Sequence, residues 1–140
     1  MKINRNYSGI IIENSEGKFL FQLRDSKLGL PHANKWSLFG GGIEPGESPV
    51  QAIVREVREE LELDIIPQNL RLLLRKETKR EKRYVFYYKL KENSAKFKLR
   101  EGQRFEFLQL KEILFKRNVV PSLRLFMCLY PFLKIKLRTF

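Results

Sequence analysis

The sequence predicts an α/β (α+β) sandwich in a single domain that spans residues 1–140. Several short segments alternate apolar and polar residues, which is typical of β-strands, and one capped amphipathic segment predicts an α-helix. A length of 140 residues suits one domain with its own hydrophobic core, and no Pro/Gly-rich linker divides the chain. Strands interleaved with a few helices indicate a layered sandwich.

Six segments are predicted as β-strands because β-branched, aromatic and other apolar residues dominate them and turn residues bound them. They are residues 8–13, 18–24, 36–39, 70–75, 84–90 and 105–110. A turn over residues 14–17 separates the first two, which favours a hairpin. Three glycines at residues 40–42 interrupt the strand pattern after the third segment.

The clearest helix is predicted to begin after Ser48 and to run to about Leu63. Ser48 suits the N-cap, Pro49 suits the first helical position, and Gln51 completes a capping box. One face carries apolar residues at helical spacing, which are Val50, Ile53, Val54, Val57 and Leu61.

An acidic segment stands out in a basic chain. The formal net charge is +12, whereas residues 44–64 hold seven acidic and two basic side chains, a local charge of −5 against +17 elsewhere. At about 100° per residue, Glu56 and Glu60 project together from the helix, and Glu59 lies beside them. Clustered carboxylates repel one another, and divalent cations relieve that repulsion. The contrast predicts a metal site that handles a polyanionic substrate.

The net positive charge predicts attraction to nucleotides, nucleic acids or other phosphates. The densest basic stretch is residues 75–83, between the fourth and fifth predicted strands. It is interpreted as a solvated hairpin tip, with a patch that steers RNA or nucleotides as the alternative.

Two helical segments are predicted at the carboxyl-terminal end, over residues 111–115 and 120–137, the second interrupted by Pro131. Cys128, the only cysteine, is expected to be a small buried hydrophobic residue. For residues 125–140, docking on the sheet or on a dimer partner is favoured over an interfacial membrane helix. No apolar run is long enough for a bilayer and no signal-peptide h-region is present, so a cytoplasmic location without a membrane partner is expected.

One motif follows the glycines and continues into the helix. It reads Gly41-x5-Glu47-x7-Arg55-Glu56-Val57-x-Glu59-Glu60-x-Glu62-Leu63. This stretch closely resembles the Nudix box, and its one departure is Glu62, where the family pattern has glycine. Residues 32–41 and 101–103 are similar to the corresponding flanks of MutT-type members. The resemblance implies the Nudix α/β/α sandwich with a mixed central β-sheet over essentially the whole chain.

The resemblance also implies a chemistry, the hydrolysis of a nucleoside diphosphate linked to another moiety with Mg²⁺, or with Mn²⁺ as a substitute. Its metal ligands would be three carboxylates and one backbone carbonyl, those of Glu56, Glu59, Glu60 and Gly40. Glu101 would be a further ligand or the general base, and the carboxylate that deprotonates the water stays open. Arg55 belongs to the catalytic group as the partner of Glu47, a structural support, because a fixed guanidinium can orient the carboxylates.

Four residues are assigned to the substrate. Arg24 ends the second predicted strand, where related enzymes place an arginine that contacts phosphate or base, and a surface charge is its alternative. Lys35 adjoins the glycine turn and suits a phosphate, although solvated lysine is the ordinary case. Gly41, within that turn, is assigned to substrate binding as well. Asn118 stands near the position where MutT-type proteins carry a purine-reading asparagine.

The function expected from these residues is a Mg²⁺-dependent (d)NTP pyrophosphohydrolase of MutT type. The alternatives are an RNA 5′ pyrophosphohydrolase, an ADP-ribose or nucleotide-sugar hydrolase, and a non-catalytic nucleotide-binding Nudix module. Because all three central carboxylates are present, the non-catalytic alternative is disfavoured. The expected partner is a nucleotide or other diphosphate, with an RNA end as a further candidate, and the expected state is a monomer or homodimer.

Overall fold

The computed structural model describes residues 6–91 and 102–138 of the chain. Within those residues it contains seven β-strands, three α-helices and one short 3-10 turn over Pro67–Asn69. The strands are β1 (Tyr7–Glu13), β2 (Phe19–Leu23), β3 (Trp36–Ser37), β4 (Phe39–Gly42), β5 (Arg71–Glu77), β6 (Lys82–Lys89) and β7 (Arg104–Leu108). The helices are α1 (Pro49–Leu61), α2 (Leu110–Phe115) and α3 (Pro121–Arg138).

The sheet is mixed, and β1 lies near its centre. On one edge β1 runs parallel to β6, which pairs antiparallel with β5. On its other edge β1 pairs antiparallel with β4 and, at its far end, with β2. Because β3 pairs with β2 while β4 pairs with β1, the segment over residues 36–42 joins the two parts of the sheet.

Helices cover both faces of the sheet. Ile10 and Ile12 belong to one hydrophobic cluster and Ile11 to another, since successive side chains of a strand point to opposite faces. The first cluster includes Ile53 of α1, and the second includes Met127 of α3. The predicted α/β/α sandwich with a mixed central sheet is therefore confirmed.

The start of α1 has the predicted capping box. The Ser48 hydroxyl accepts from the Gln51 backbone N–H at 3.1 Å, and the Gln51 side chain accepts from the Ser48 N–H at 2.9 Å. The predicted apolar face is buried at its centre, where Ile53 and Val57 are fully buried against the sheet. The helix ends at Leu61, two residues before the predicted end.

The prediction that glycines 40–42 interrupt a strand is wrong, because they form most of β4. A Cβ at Gly40 would collide with the Ser8 carbonyl of β1, and a Cβ at Gly41 would collide with the Glu56 carboxylate. Glycine is therefore needed here for close approach to β1 and α1, and it does not mark a turn.

The remaining strands and helices differ from prediction mainly at their ends. Strands β5 and β6 extend into the basic stretch, so that only residues 78–81 form the turn between them. Pro131 was expected to interrupt the terminal helix, but α3 is continuous through it. Pro131 lies on the exposed side of α3, and packing of the opposite side against the sheet stabilises the helix on both sides of it. Cys128 was expected to be buried and is exposed, because α3 turns its other side to the sheet.

None of the helices within residues 6–91 and 102–138 combines the length and the apolar character that crossing a bilayer requires.

Candidate functional site

The Arg55 side chain holds the acidic segment together. Its Nε and Nη2 donate to the two carboxylate oxygens of Glu47 at 2.8 and 2.9 Å. Its Nη1 donates to Glu56 at 2.9 Å and to Glu59 at 3.4 Å, and Nη2 also donates to the Gly42 carbonyl at 3.0 Å. One guanidinium therefore connects the strand β4, the loop before α1 and two carboxylates of α1, and the predicted pairing of Arg55 with Glu47 is present.

This pairing fixes the charge of both partners. The hydrogen bonds from Arg55, together with the Glu44 backbone N–H, lower the pKa of Glu47 to about 2. The hydrogen bonds to Glu47, and then the one to Glu56, raise the pKa of Arg55 above its already high ordinary value. Both groups therefore stay ionised at neutral pH, and the bidentate geometry gives Arg55 a fixed orientation.

The three carboxylates of α1 differ in their surroundings. Glu60 is buried with 5% of its surface exposed, whereas 15% of the Glu56 side chain and 56% of the Glu59 side chain are exposed. The Glu56 carboxylate lies against Gly41 and occupies the space that a Cβ at residue 41 would fill. The helix therefore presents a graded set of oxygen donors, from buried to solvent-exposed, beside β4.

The donor set suits a hard divalent cation that is shared with a substrate. Within the described residues, no three His, Cys, Asp or Glu side chains converge closely enough to hold a metal ion by themselves. Arg55 already binds Glu56 and Glu59, which limits their convergence. Mg²⁺ commonly takes one or two carboxylates and completes its shell with waters and substrate phosphates. The oxygens of these glutamates fit that mode of binding.

A cleft of about 410 Å³ lies between the sheet and α3. We call it the α3 cleft. One part of its lining is cationic or titratable and consists of Arg24, His32, Lys76 and Arg83. The other part is apolar and combines sheet residues such as Leu74 and Val85 with leucines of α3. Of the four residues that sequence analysis assigned to the substrate, the structure brings Arg24 into this lining.

Tyr7 connects the α3 cleft with the carboxylates and was missed by sequence analysis. Its ring lines the cleft, and a Cβ at Gly40 would lie 3.0 Å from its hydroxyl oxygen. Burial, and then the charge of Glu60, raise the pKa of Tyr7, which keeps the phenol protonated. The Arg83 guanidinium lies 5.7 Å from the ring centroid. No local signal identifies Tyr7, since its position depends on the pairing of β1 with β4 and β6.

The loop over residues 25–35 is held beside the cleft. The Arg24 Nε donates to the Pro31 carbonyl at 3.1 Å, so this side chain supports the loop as well as lining the cleft. The Gln103 amide donates to the Arg24 carbonyl and to the Asn34 side chain, both at 2.9 Å. His32, to which sequence analysis gave no function, lines the cleft, and burial followed by the charge of Lys35 lowers its pKa.

The other predicted residues are placed differently. Lys35 and Asn118 are absent from the lining of the α3 cleft. The Lys35 carbonyl accepts from the Arg24 N–H, and the Asn118 carbonyl accepts from the Trp36 N–H at 2.7 Å. Gly41 lies against Glu56. Glu101 lies outside the described residues. The functions assigned to these four residues stay predictions.

Comparisons with known proteins agree with this architecture. The NUDIX domain model matches residues 4–129. The nucleoside triphosphatase NudI of Escherichia coli O1:K1 / APEC is 41% identical over 51 residues, which cover 36% of this chain and 35% of that protein. The chain thus spans about a third of the length of the curated relatives it matches.

Solved structures are similar over most of the chain. The MutT protein from Methanosarcina mazei Go1 has a TM-score of 0.70 at 25% identity, covering 87% of this chain and 88% of that one. DR0079 from Deinococcus radiodurans has a TM-score of 0.72 at 21% identity, covering 87% and 80%. Because the identity to DR0079 is only 21%, this similarity shows a shared fold alone.

Proposed function

The chain belongs to the NUDIX family, and from that premise we propose that it is a divalent-metal-dependent pyrophosphohydrolase that converts a nucleoside triphosphate to monophosphate and pyrophosphate. One observation carries the proposal. Carboxylates oriented by Arg55 stand beside a cleft with a cationic end, and Tyr7 lies between the two. The name of the relative NudI, a nucleoside triphosphatase, supports the choice of a triphosphate.

A divalent cation, Mg²⁺ or Mn²⁺, would neutralise phosphate charge and activate a water when bound. Glu56, Glu59, Glu60 and the Gly40 carbonyl would hold it. Arg55 would keep Glu56 and Glu59 oriented through its hydrogen bonds to both. Water would be deprotonated by one of these carboxylates or by Glu101.

The cationic end of the α3 cleft would bind the phosphates. Arg24 and Arg83 both line the cleft, and their charges act on the Tyr7 phenol. Because the pKa of Tyr7 is raised, its hydroxyl would stay a hydrogen-bond donor toward a phosphate oxygen at working pH. This arrangement would place the phosphates between the cations and the carboxylates of α1.

A phosphate-release screen with Glu59→Gln tests the proposal. The panel contains dNTPs, 8-oxo-dGTP, ADP-ribose, nucleotide sugars and triphosphorylated RNA, with Mg²⁺ or Mn²⁺. We expect hydrolysis of triphosphates that EDTA abolishes and that Glu59→Gln lowers about a hundredfold or more. Glu62→Gln is the matched control, because it makes the same change at the end of the same helix outside the metal set. Hydrolysis by Glu59→Gln at the parent rate would overturn the assignment.

A second candidate, hydrolysis at RNA 5′ ends, is favoured by the position of the basic hairpin. Lys76 of β5 and Arg83 of β6 line the α3 cleft, while Lys79 and Arg80 are exposed at the tip. A strand leaving the cleft would therefore meet further cations. If RNA is the substrate, the double variant Lys79→Ala/Arg80→Ala should lower kcat/KM for triphosphorylated RNA and leave that for a dNTP unchanged.

A further inference from the structure

The lining of the α3 cleft separates charge from apolar surface. Its charged and titratable groups are Arg24, Lys76, Arg83, His32 and the phenol of Tyr7. Its apolar part includes Leu125 and Leu129, which are large and unusually exposed, at 64% and 49%. Exposed leucines of this size on the wall of a cleft are available for contact with a bound group.

Among the described residues, the lining of this cleft contains no carboxylate and no side-chain amide. The edges of nucleobases combine donors and acceptors, and carboxylates and amides are the side chains that match them. Two serine hydroxyls line the cleft: Ser37 is buried and donates to the Leu38 carbonyl at 3.2 Å, and Ser122 is exposed to water at the start of α3. Asn118, the predicted purine-reading residue, does not line the cleft.

Burial of a polar base edge in this cleft would cost binding free energy. A donor or acceptor that leaves water without finding a partner costs binding free energy, whereas an added methyl group gains it when it meets apolar surface. A cleft with this lining therefore favours bases whose polar edge is covered by alkyl groups. The phosphates supply the charge that the cationic end requires.

We propose that the α3 cleft recognises the base of its substrate by apolar contact, and that nucleoside triphosphates with alkylated bases are its preferred class. The inference rests on the proposed triphosphate hydrolysis for its activity, but it concerns the cleft and not the metal site. Leu125 and Leu129 determine the preference by contacting the alkyl group, and Arg24 and Arg83 bind the phosphates of every substrate alike.

Matched substrate pairs that differ by one methyl group test this inference. The pairs are N6-methyl-dATP with dATP, O6-methyl-dGTP with dGTP, and dTTP with dUTP. We expect kcat/KM to rise about threefold or more for each added methyl, the factor that burial of one such group gives. Removing the 2-amino group, from dGTP to dITP, should change kcat/KM by less than about threefold. A preference for the unmethylated member of each pair, or a large loss with dITP, would overturn the proposal.

Substitutions in α3 test whether its leucines cause the methyl preference. Leu129→Asn should abolish the methyl preference, so that kcat/KM for N6-methyl-dATP falls to the level of that for dATP in the same variant. Phe132→Asn is the matched control, since Phe132 is 70% exposed on the same helix and does not line the cleft. Leu125→Asn repeats the test if Leu129→Asn has a lowered Tm. A methyl preference that survives both leucine variants would contradict the assignment.

A binding measurement separates this inference from the proposed function. The affinities for dAMP and N6-methyl-dAMP are compared by calorimetry without metal, which requires no turnover. Tighter binding of the methylated nucleotide by the parent, but not by Leu129→Asn, would support the cleft assignment even if no Glu59-dependent hydrolysis is found. Equal affinities would refute it even if hydrolysis is found.

Discussion

Arg55 shows how one side chain organises a site whose other members repel one another. Three glutamates within one hydrogen-bonded group would be unfavourable without a compensating cation, and the guanidinium supplies that charge at fixed angles. The resemblance to the Nudix box was enough to predict its pairing with Glu47. It was not enough to predict the bonds to Glu56 and Gly42, which require β4 to lie beside α1.

The low pKa of Glu47 predicts an acid-sensitive contribution to stability. The folded-state pKa of about 2 lies below the ordinary value of 4.5, so the contribution is complete above about pH 4.5 and is lost as the pH falls toward 2. Urea unfolding of the parent and of Glu47→Gln should therefore differ most at neutral pH, and the difference should shrink below about pH 4. A constant difference down to pH 2.5 would contradict the pairing as its cause.

Glu62 is the residue at which the chain departs from the Nudix pattern, and it is strained. It follows the last residue of α1 with φ 54° and ψ 28°, a left-handed conformation that glycine adopts without steric cost. We predict that Glu62→Gly raises the free energy of unfolding by about 1 kcal/mol. Glu62→Ala is the control, because it removes the side chain but keeps the Cβ and should give no such gain. Chemical denaturation measures both, and equal effects of the two variants would contradict the explanation.

At the scale of elements, the predictions succeeded where the signals are local. The start of α1 depends on Ser48, Pro49 and Gln51, which are close in sequence, and the structure contains the predicted cap. The prediction failed for β4, because its glycines are required by contacts with Ser8 and Glu56, which are distant in sequence. It also failed at Pro131, since an exposed position on a helix packed against the sheet tolerates a residue that an isolated helix would not.

The capping box should contribute measurably to the stability of α1. Ser48→Ala removes the acceptor for the Gln51 N–H, and we expect the free energy of unfolding to fall by about 1 kcal/mol. Ser26→Ala is the control, because Ser26 lies exposed in the loop before β3 and caps no helix. Urea midpoints of the two variants and the parent test this prediction. An equal loss in both variants would show that the cap is not its source.

At the scale of the whole molecule, the candidate site joins segments that the sequence keeps apart. The carboxylates lie on one helix and were predictable from spacing, whereas Tyr7 and Arg83 become neighbours only because β1 and β6 pair in parallel with these residues in register. Lys76 reaches the same cleft through the antiparallel pairing of β5 with β6, opposite Arg83. Lys76 and Arg83, which were predicted to belong to a solvated hairpin tip, therefore line a cleft. No local pattern in residues 75–83 indicates that position.

This distribution of charge predicts a salt-dependent encounter with the substrate. A net charge of +12, concentrated outside the acidic segment, attracts triphosphates over distances comparable with the Debye length, about 10 Å at 0.1 M salt. At fixed Mg²⁺, kcat/KM should fall on the order of tenfold between about 0.05 and 0.5 M salt, while kcat changes little.

Arg83→Gln should flatten this salt dependence of kcat/KM because Arg83 lines the cleft. Arg58→Gln removes the same charge from a residue paired with Asp64 on exposed α1 and should leave the slope unchanged. Equal slopes for the two variants would mean that net charge alone, and not its placement at the cleft, governs the encounter.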